Sequence, residues 1–295
     1  MPEIKASNEN CLCDFTFDFY WQHHGSRLNP DQTVCNVSFR KLVEALRRGE
    51  TVRIFGDAGS RLGSSMGVDL MRLGGKGGPI ESTGNIIVDG DVGGRMGISM
   101  LRGAIYVSGK IDLPMGNVIE VECDRTGYRK FVSITEALER STPVLEPNVL
   151  DQNGLVIDDG LLRDTICARN PAERVVHLRG NAGMSTGILM QSGLVEVSGE
   201  TECNTGVLMR GGRIIVRGGT GDFTGAEMRG GEIFVAGSAG SFACAKMSGG
   251  AIYARDCKPL PPAIAHPLSP SEQSKVAKML KQSQLYAMMY RRFSI

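Results

Sequence analysis

Short runs of alternating apolar and polar residues, each closed by a glycine, recur along the middle of this chain. Aligned on the closing glycine, seven segments share one pattern: VRIFGDAGSRLGSSM, IIVDGDVGGRMGISM, IYVSGKIDLPMGNVI, VHLRGNAGMSTGILM, VEVSGETECNTGVLM, IIVRGGTGDFTGAEM and IFVAGSAGSFACAKM. Gly180, Gly199, Gly218 and Gly237 stand 19 residues apart, Gly90 and Gly109 keep the same interval, and Gly56 begins the pattern earlier. Before each anchor glycine two alternate positions are apolar: Val52 and Ile54, Ile86 and Val88, Ile105 and Val107, Val176 and Leu178, Val195 and Val197, Ile214 and Val216, Ile233 and Val235. A period of two, rich in β-branched residues, predicts a strand with one buried face. The anchor glycine predicts a turn. A second glycine follows at Gly63, Gly97, Gly116, Gly187, Gly206 and Gly225, with Cys244 in its place in the last segment, and a third at Gly103, Gly193, Gly212, Gly231 and Gly250. Methionine marks another fixed position (Met66, Met100, Met190, Met209, Met228, Met247), where Ile119 is the exception. Ala251-Ile252-Tyr253-Ala254 starts an eighth coil.

A 19-residue unit with two or three short strands and no helix cannot bury its own face. Stacking such units at roughly 4.8 Å per turn pairs each strand with the next and closes one continuous core. The unit has no room for the helix of a leucine-rich repeat, and its length is not a multiple of six as a left-handed hexapeptide helix needs. The expected fold is therefore all-β: a right-handed parallel β-helix solenoid of about seven to eight coils with short capping helices. The solenoid spans residues 50–255, and its methionines read as stacked inner-wall residues rather than a soft-metal or haem site. Two insertions, about 67–84 and 118–173, interrupt it, the longer with a helix expected at Ile134–Glu139. Insertions of this kind tend to project and to meet partners. Residues 1–49 form a front cap segment, with a short helix over Ser38–Leu46 that Ser38 caps and Gly49 stops. Residues 256–295 form a tail, in which Ser269-Pro270-Ser271-Glu272 is a capping box for a helix expected to reach about Tyr290 and to end Arg291-Arg292-Phe293. That helix suits docking on a partner or on the coil stack. A basic amphipathic helix could also lie on a membrane, but this apolar face is modest.

Composition narrows the function. Glycine is 39 of 295 residues without a collagen triplet, so it belongs to turns. A net charge of +1 argues against nucleic-acid or anionic-membrane binding. No long apolar run or signal core is present, so a soluble, cytoplasmic protein is expected. Its eight cysteines then read as free thiols. Cys11, Cys13 and Cys35 with His23 and His24 make the only metal-like grouping, without paired CxxC spacing. The stretch Gly56–Gly63 lacks the Lys-Ser/Thr and the helix of a phosphate loop. Gly218-Gly219-Thr220-Gly221-Asp222 is one residue short of a calcium-binding nonapeptide and does not recur. The outward strand positions are Arg53, Ile87, Tyr106, His177, Glu196, Ile215 and Phe234, not the acidic and basic ladder of a polysaccharide-degrading β-helix. His177 reads as a surface residue, and the apolar members predict a face that contacts another protein. No catalytic, cofactor-binding or metal-binding residue is assigned.

The tandem glycine-rich coils over about residues 50–117 and 174–255 resemble the β-helix family shared by the C-terminal domain of glutamate synthase and the glycine-rich subunit of formylmethanofuran dehydrogenase. Met66-Gly67-Val68-Asp69-Leu70 and Gly127-Tyr128-Arg129-Lys130-Phe131, next to Ser133-Ile134-Thr135, are more similar to the formylmethanofuran dehydrogenase side. The resemblance implies a non-catalytic scaffold of an oxidoreductase complex that reduces CO2 and fixes it onto methanofuran, the first step of methanogenesis. It implies partners: a formate dehydrogenase-like pterin subunit, an amidohydrolase subunit and iron–sulfur subunits. The cofactors, a molybdenum or tungsten pterin, iron–sulfur clusters and a binuclear metal centre, would sit in those partners. A glutamate synthase-type complex is the alternative, and an independent β-helix lyase or sugar-binding protein a third. The Cys11/Cys13 start and the basic C-terminal helix depart from the family pattern.

Overall fold

The computed structural model describes residues 2–5, 33–34, 37–69 and 75–295. The chain divides into two compact units, Met1–Glu146 with Leu161–Asp164, and Pro147–Gly160 with Thr165–Ile295. The first unit contains β1 (Glu3–Lys5), β2 (Thr33–Val34), β3 (Val37–Ser38), α1 (Phe39–Arg47), β4 (Val52–Phe55), β5 (Ile86–Asp89), β6 (Ala104–Val107), β7 (Val118–Val121), β8 (Arg129–Ser133) and α2 (Ile134–Arg140). The second contains β9 (Val149–Asp151), β10 (Gly154–Ile157), β11 (Val175–Leu178), β12 (Leu194–Val197), β13 (Arg213–Val216), β14 (Arg229–Val235), β15 (Gly249–Ala254), β16 (Ile264–Pro267), α3 (Pro270–Leu280), α4 (Gln284–Ala287) and β17 (Arg291–Ser294).

Both units are parallel β-solenoids. In the second, β10 to β15 pair in parallel in chain order, and Val176, Val195, Ile214, Ile233 and Ile252 lie opposite one another, one repeat apart. These are the inward residues that the alternation marks, and all five are buried. In the first unit Val52, Ile86 and Ile105 stack in the same way. Among the described residues the turns number about nine, more than the glycine register marks. One extra coil lies inside the segment expected to be an insertion at 118–173. There β10 pairs in parallel with β11, and Thr165, Cys167 and Arg169 repeat the left-handed positions of Ser185, Gly187 and Leu189.

A typical coil holds one four-residue strand, lengthened to seven and six residues in β14 and β15, and a single bridging residue, as along Ala182, Thr201, Thr220 and Ala239, rather than two or three full strands. Past the bridge, alternate residues take positive φ: Asn204, Gly206 and Leu208 in one coil, Phe223, Gly225 and Glu227 in the next. This winds the corner tightly enough for its amides to bond along the stack, as Ser185 N–H to Cys203 O at 2.8 Å and Leu189 N–H to Val207 O at 3.1 Å. The methionine and third-glycine periodicities are two halves of one contact. A Cβ on Gly212, Gly231 or Gly250 would lie 2.9, 2.8 or 2.7 Å from the Cε of Met190, Met209 or Met228 in the preceding coil. The thioether fills the space that the missing side chain leaves.

The ends of each stack are covered. At the front, β1 adds in parallel to β4, and Leu42, Val43 and Leu46 of α1 join the core of Val52, Met66 and Val68. Ser38 caps α1 as expected, accepting from Lys41 N–H. The described ends of the first insertion lie on α1, with an Arg47–Asp69 ion pair at 2.8 Å and Gly84 N–H on Leu46 O at 2.7 Å. α2 forms where it is expected and is capped by Ser133.

The C-terminal helix differs from expectation. Its capping box at Ser269 is present, but Lys281 takes a left-handed conformation that ends α3, and Ser283 caps the separate short α4. Arg291–Ser294 is a strand, not a helix end: β17 pairs antiparallel with β15 and β16 antiparallel with β17. Reversing direction there ends the parallel stacking and gives the last coil's strand a partner.

Candidate functional site

The surface that the outward strand positions point to is not free in either unit. In the second, Ile215, Phe234 and Tyr253 form one buried cluster with Val276, Ala277, Leu280, Ala287 and Tyr290. The apolar face expected to meet another protein is thus roofed by the chain's own C-terminal segment. The sequence pattern hides this because the same apolar face serves a partner or a distant part of one chain equally well. Phe234 and Tyr253 stack with centroids 4.6 Å apart at 9°.

Ion pairs ring this cluster. Glu232 accepts from Arg213 at 2.9 Å and from Lys275 of α3, while Glu196 accepts from Arg217 at 2.9 Å and lies 3.7 Å from Lys281. His177, half-exposed, sits 3.2 Å from Glu196, in keeping with a surface role. Arg292 of β17 pairs with Glu272 of α3 at 2.7 Å. Burial pushes the Glu232 and Glu196 carboxyls up, but the hydrogen bonds and charges of Lys275, Arg213 and Arg217 outweigh it, and both lie below the ordinary value. Burial is also the main reason that Tyr253 is raised to about 12.

A carboxyl depressed in the folded state contributes stability that is complete above its unfolded value, near pH 4.3, and is lost as pH falls through the folded value. Acidification is therefore expected to loosen α3 before the coils, which amide hydrogen exchange of α3 and of β12–β14 would read at stepwise lower pH. Glu232→Gln should bring the loosening of α3 to neutral pH. Simultaneous loss of protection in both regions at every pH would contradict a latch at Glu232.

In the first unit the loop between β7 and β8 lies over the outward face. Tyr128 donates to Asp89, which also accepts from Arg53 at 2.7 Å, and Tyr106 donates to Asp124 at 3.0 Å. Lys130 reaches the same Asp124 at 3.1 Å, and the Arg125 guanidinium stands 5.2 Å over the Tyr106 ring. Beside this roof is an open groove of about 280 Å³ with Thr83, Asn85, Tyr106, Lys130, Glu136 and Arg140 among its lining residues. The Glu136 carboxylate accepts from Gly103 N–H at 3.1 Å and pairs with Arg140 at 2.8 Å. Burial raises this carboxyl, against the pull of Arg140 and Arg102. Both Glu136 oxygens have partners, one on Arg140 within α2 and one on Gly103, which ties α2 to the coil. Sequence reading passed over Glu136, although Ser133-Ile134-Thr135-Glu136 has the spacing of a helix-capping motif.

Cys11, Cys13, Cys35, His23 and His24 lie outside the described residues. Among the described residues no three His, Cys, Asp or Glu side chains converge as a metal site would need, and no helix is long and apolar enough to cross a membrane.

Comparison with known proteins gives one relative of note. The chain is 49% identical over 191 residues to an uncharacterized protein of Methanothermobacter thermautotrophicus, a stretch covering 64% of this chain and 62% of that protein. The chain therefore spans less than two thirds of that relative's length. No family model matches the chain, and no solved structure matches it.

Proposed function

We propose that this chain is the structural β-helix subunit of a formylmethanofuran dehydrogenase-type complex, holding the subunits that reduce CO2 and fix it onto methanofuran. The observation that carries the reading is the use of the repeat itself. In the second unit the strand residues, methionines and turn glycines are consumed in packing one coil on the next. What this builds is a rigid stack with fixed spacing, suited to holding other subunits in position. A relative in a methanogen supports the metabolic setting. In this reading the pterin, iron–sulfur and binuclear metal centres belong to the cytoplasmic partner subunits. Those partners meet the segments that roof the coils. Leu285, Met288 and Met289, at 78%, 55% and 57% exposure, offer a contact surface on and beside α4.

The test is to isolate the chain from its native cells under mild, oxygen-free conditions and identify by mass spectrometry what accompanies it. A pterin-dependent formate dehydrogenase-like subunit together with an amidohydrolase is the expected result. Recovery with an amidotransferase and a flavoprotein would move the chain to a glutamate synthase-type complex. Recovery alone would overturn both readings.

A further inference from the structure

In the turn of the last coil, the place held by Gly187, Gly206 and Gly225 is taken by Cys244, which keeps the same left-handed backbone with φ of +59°. Its side chain is completely buried. The chain leaving β15 runs parallel beside this turn and is fixed to it by backbone hydrogen bonds. Ala239 N–H donates to Asp256 O at 2.9 Å, and Leu260 N–H to Ala243 O at 2.8 Å. Between those two ties sits Cys257, which is partly exposed. The bridge between Ala243 and Pro259 sets the two segments side by side, and Cys257 lies close enough to Cys244 to act on its ionisation. A thiol that solvent can reach is thus backed by an enclosed one, on two segments held in register by the main chain.

We propose that Cys244 and Cys257 form a dithiol site that reacts with small organic disulfides and closes to an intramolecular disulfide. This is independent of the scaffold reading. The Cys257 thiolate attacks one sulfur of the reagent, the reagent's S–S bond breaks, and a mixed disulfide forms as the first reagent thiol leaves. Cys244 then gives up its proton and attacks the Cys257 sulfur, expelling the second reagent thiol. Two protein thiols are oxidised to one disulfide, one reagent disulfide is reduced to two thiols, and the two protein protons end on those thiols. The neighbouring Cys257 and burial both raise the Cys244 thiol well above its ordinary value. Because Cys244 is enclosed while Cys257 reaches solvent, the second step is the slow one, and the mixed disulfide accumulates first. The closed form ties the last parallel coil to the segment leading into β16.

The probe is oxidised glutathione, added to the reduced full-length chain in oxygen-free, mildly alkaline buffer. Samples are blocked with iodoacetamide over time and read by intact mass and peptide mapping. The expected course is a glutathione adduct on Cys257 that rises and decays into a linked peptide containing Cys244 and Cys257. Cys244→Gly restores the residue of the sibling coils and should halt at the adduct on Cys257. Cys257→Ser should leave Cys244 unmodified over the same period. Circular dichroism of both variants separates lost exchange from lost folding. An adduct on the wild-type chain that persists as long as in Cys244→Gly would overturn the proposal, as would full alkylation of both cysteines throughout.

Discussion

Phe234→Ala is expected to destabilise the second unit by about 3–5 kcal/mol, the range for removing a large aromatic side chain from a closed core. The ring is completely buried between the outward face of the coils and the C-terminal segment, stacked on Tyr253 and packed in one cluster with Ile215, Val276 and Leu280. The Lys275 ammonium, which pairs with Glu232, stands 6.0 Å above the same ring. Removing the ring therefore opens a cavity and unseats α3 together. Urea unfolding would show a lower midpoint, and hydrogen exchange should locate the earliest loss of protection in α3. The contrast is Phe223→Ala: that ring is 40% exposed, stacks on the exposed Phe242 and sits on a left-handed backbone. Its loss should change stability by no more than about 0.5 kcal/mol. Equal effects at the two positions would mean that the C-terminal segment is not seated on Phe234.

Gly231→Ala is expected to cost about 3 kcal/mol, from a left-handed backbone that disfavours a side chain and from overpacking. Gly231 has φ of +91°, and an added Cβ would stand 2.8 Å from both Gly212 O and Met209 Cε. The methionine can swing away, whereas the carbonyl belongs to the ladder between coils and cannot. Gly78→Ala is the control, because its Cβ would meet nothing within 4 Å and its φ is not in the left-handed region. Chemical denaturation of the two variants would separate glycines that the stacking requires from one that it does not. A Gly231→Ala protein as stable as Gly78→Ala would show that the coils are less closely packed than described.

The coil core was legible because its signals are local: alternation within four residues, a glycine at the corner and a methionine on the inner wall. The coil that starts the second unit was not: its alternation survives in Leu155 and Ile157, but its glycine and methionine marks are altered. Asp159 stands near the place of the anchor glycine, Cys167 occupies the left-handed position of the second, and no methionine follows Cys167 within the coil. The C-terminal break was hidden for another reason. The apolar spacing that favours a helix runs on past Lys281, while β15 offers Arg291–Ser294 a strand to pair with. The roofs over both outward faces depend on contacts such as Glu232 with Lys275 and Asp89 with Tyr128, between residues dozens of positions apart. Local pattern establishes that Ile215 and Phe234 need covering, but not by which chain. The thiol pair shows the same limit: Cys244 is visible as a lapse in the glycine register, yet its neighbour is set by the path after β15.

The constant step between stacked strands also limits how this gene can change length. From β11 to β15 every inward strand residue sits one 19-residue repeat from its counterpart. Loss or gain of a whole repeat, such as the span from Gly199 to Arg217, would bring equivalent residues back into contact and leave the buried faces matched. Removal of a single residue from a strand would turn its apolar side chains outward. Divergence in length among proteins built this way should therefore fall into whole coils within the stack, with freely varying lengths confined to the insertions and the two ends.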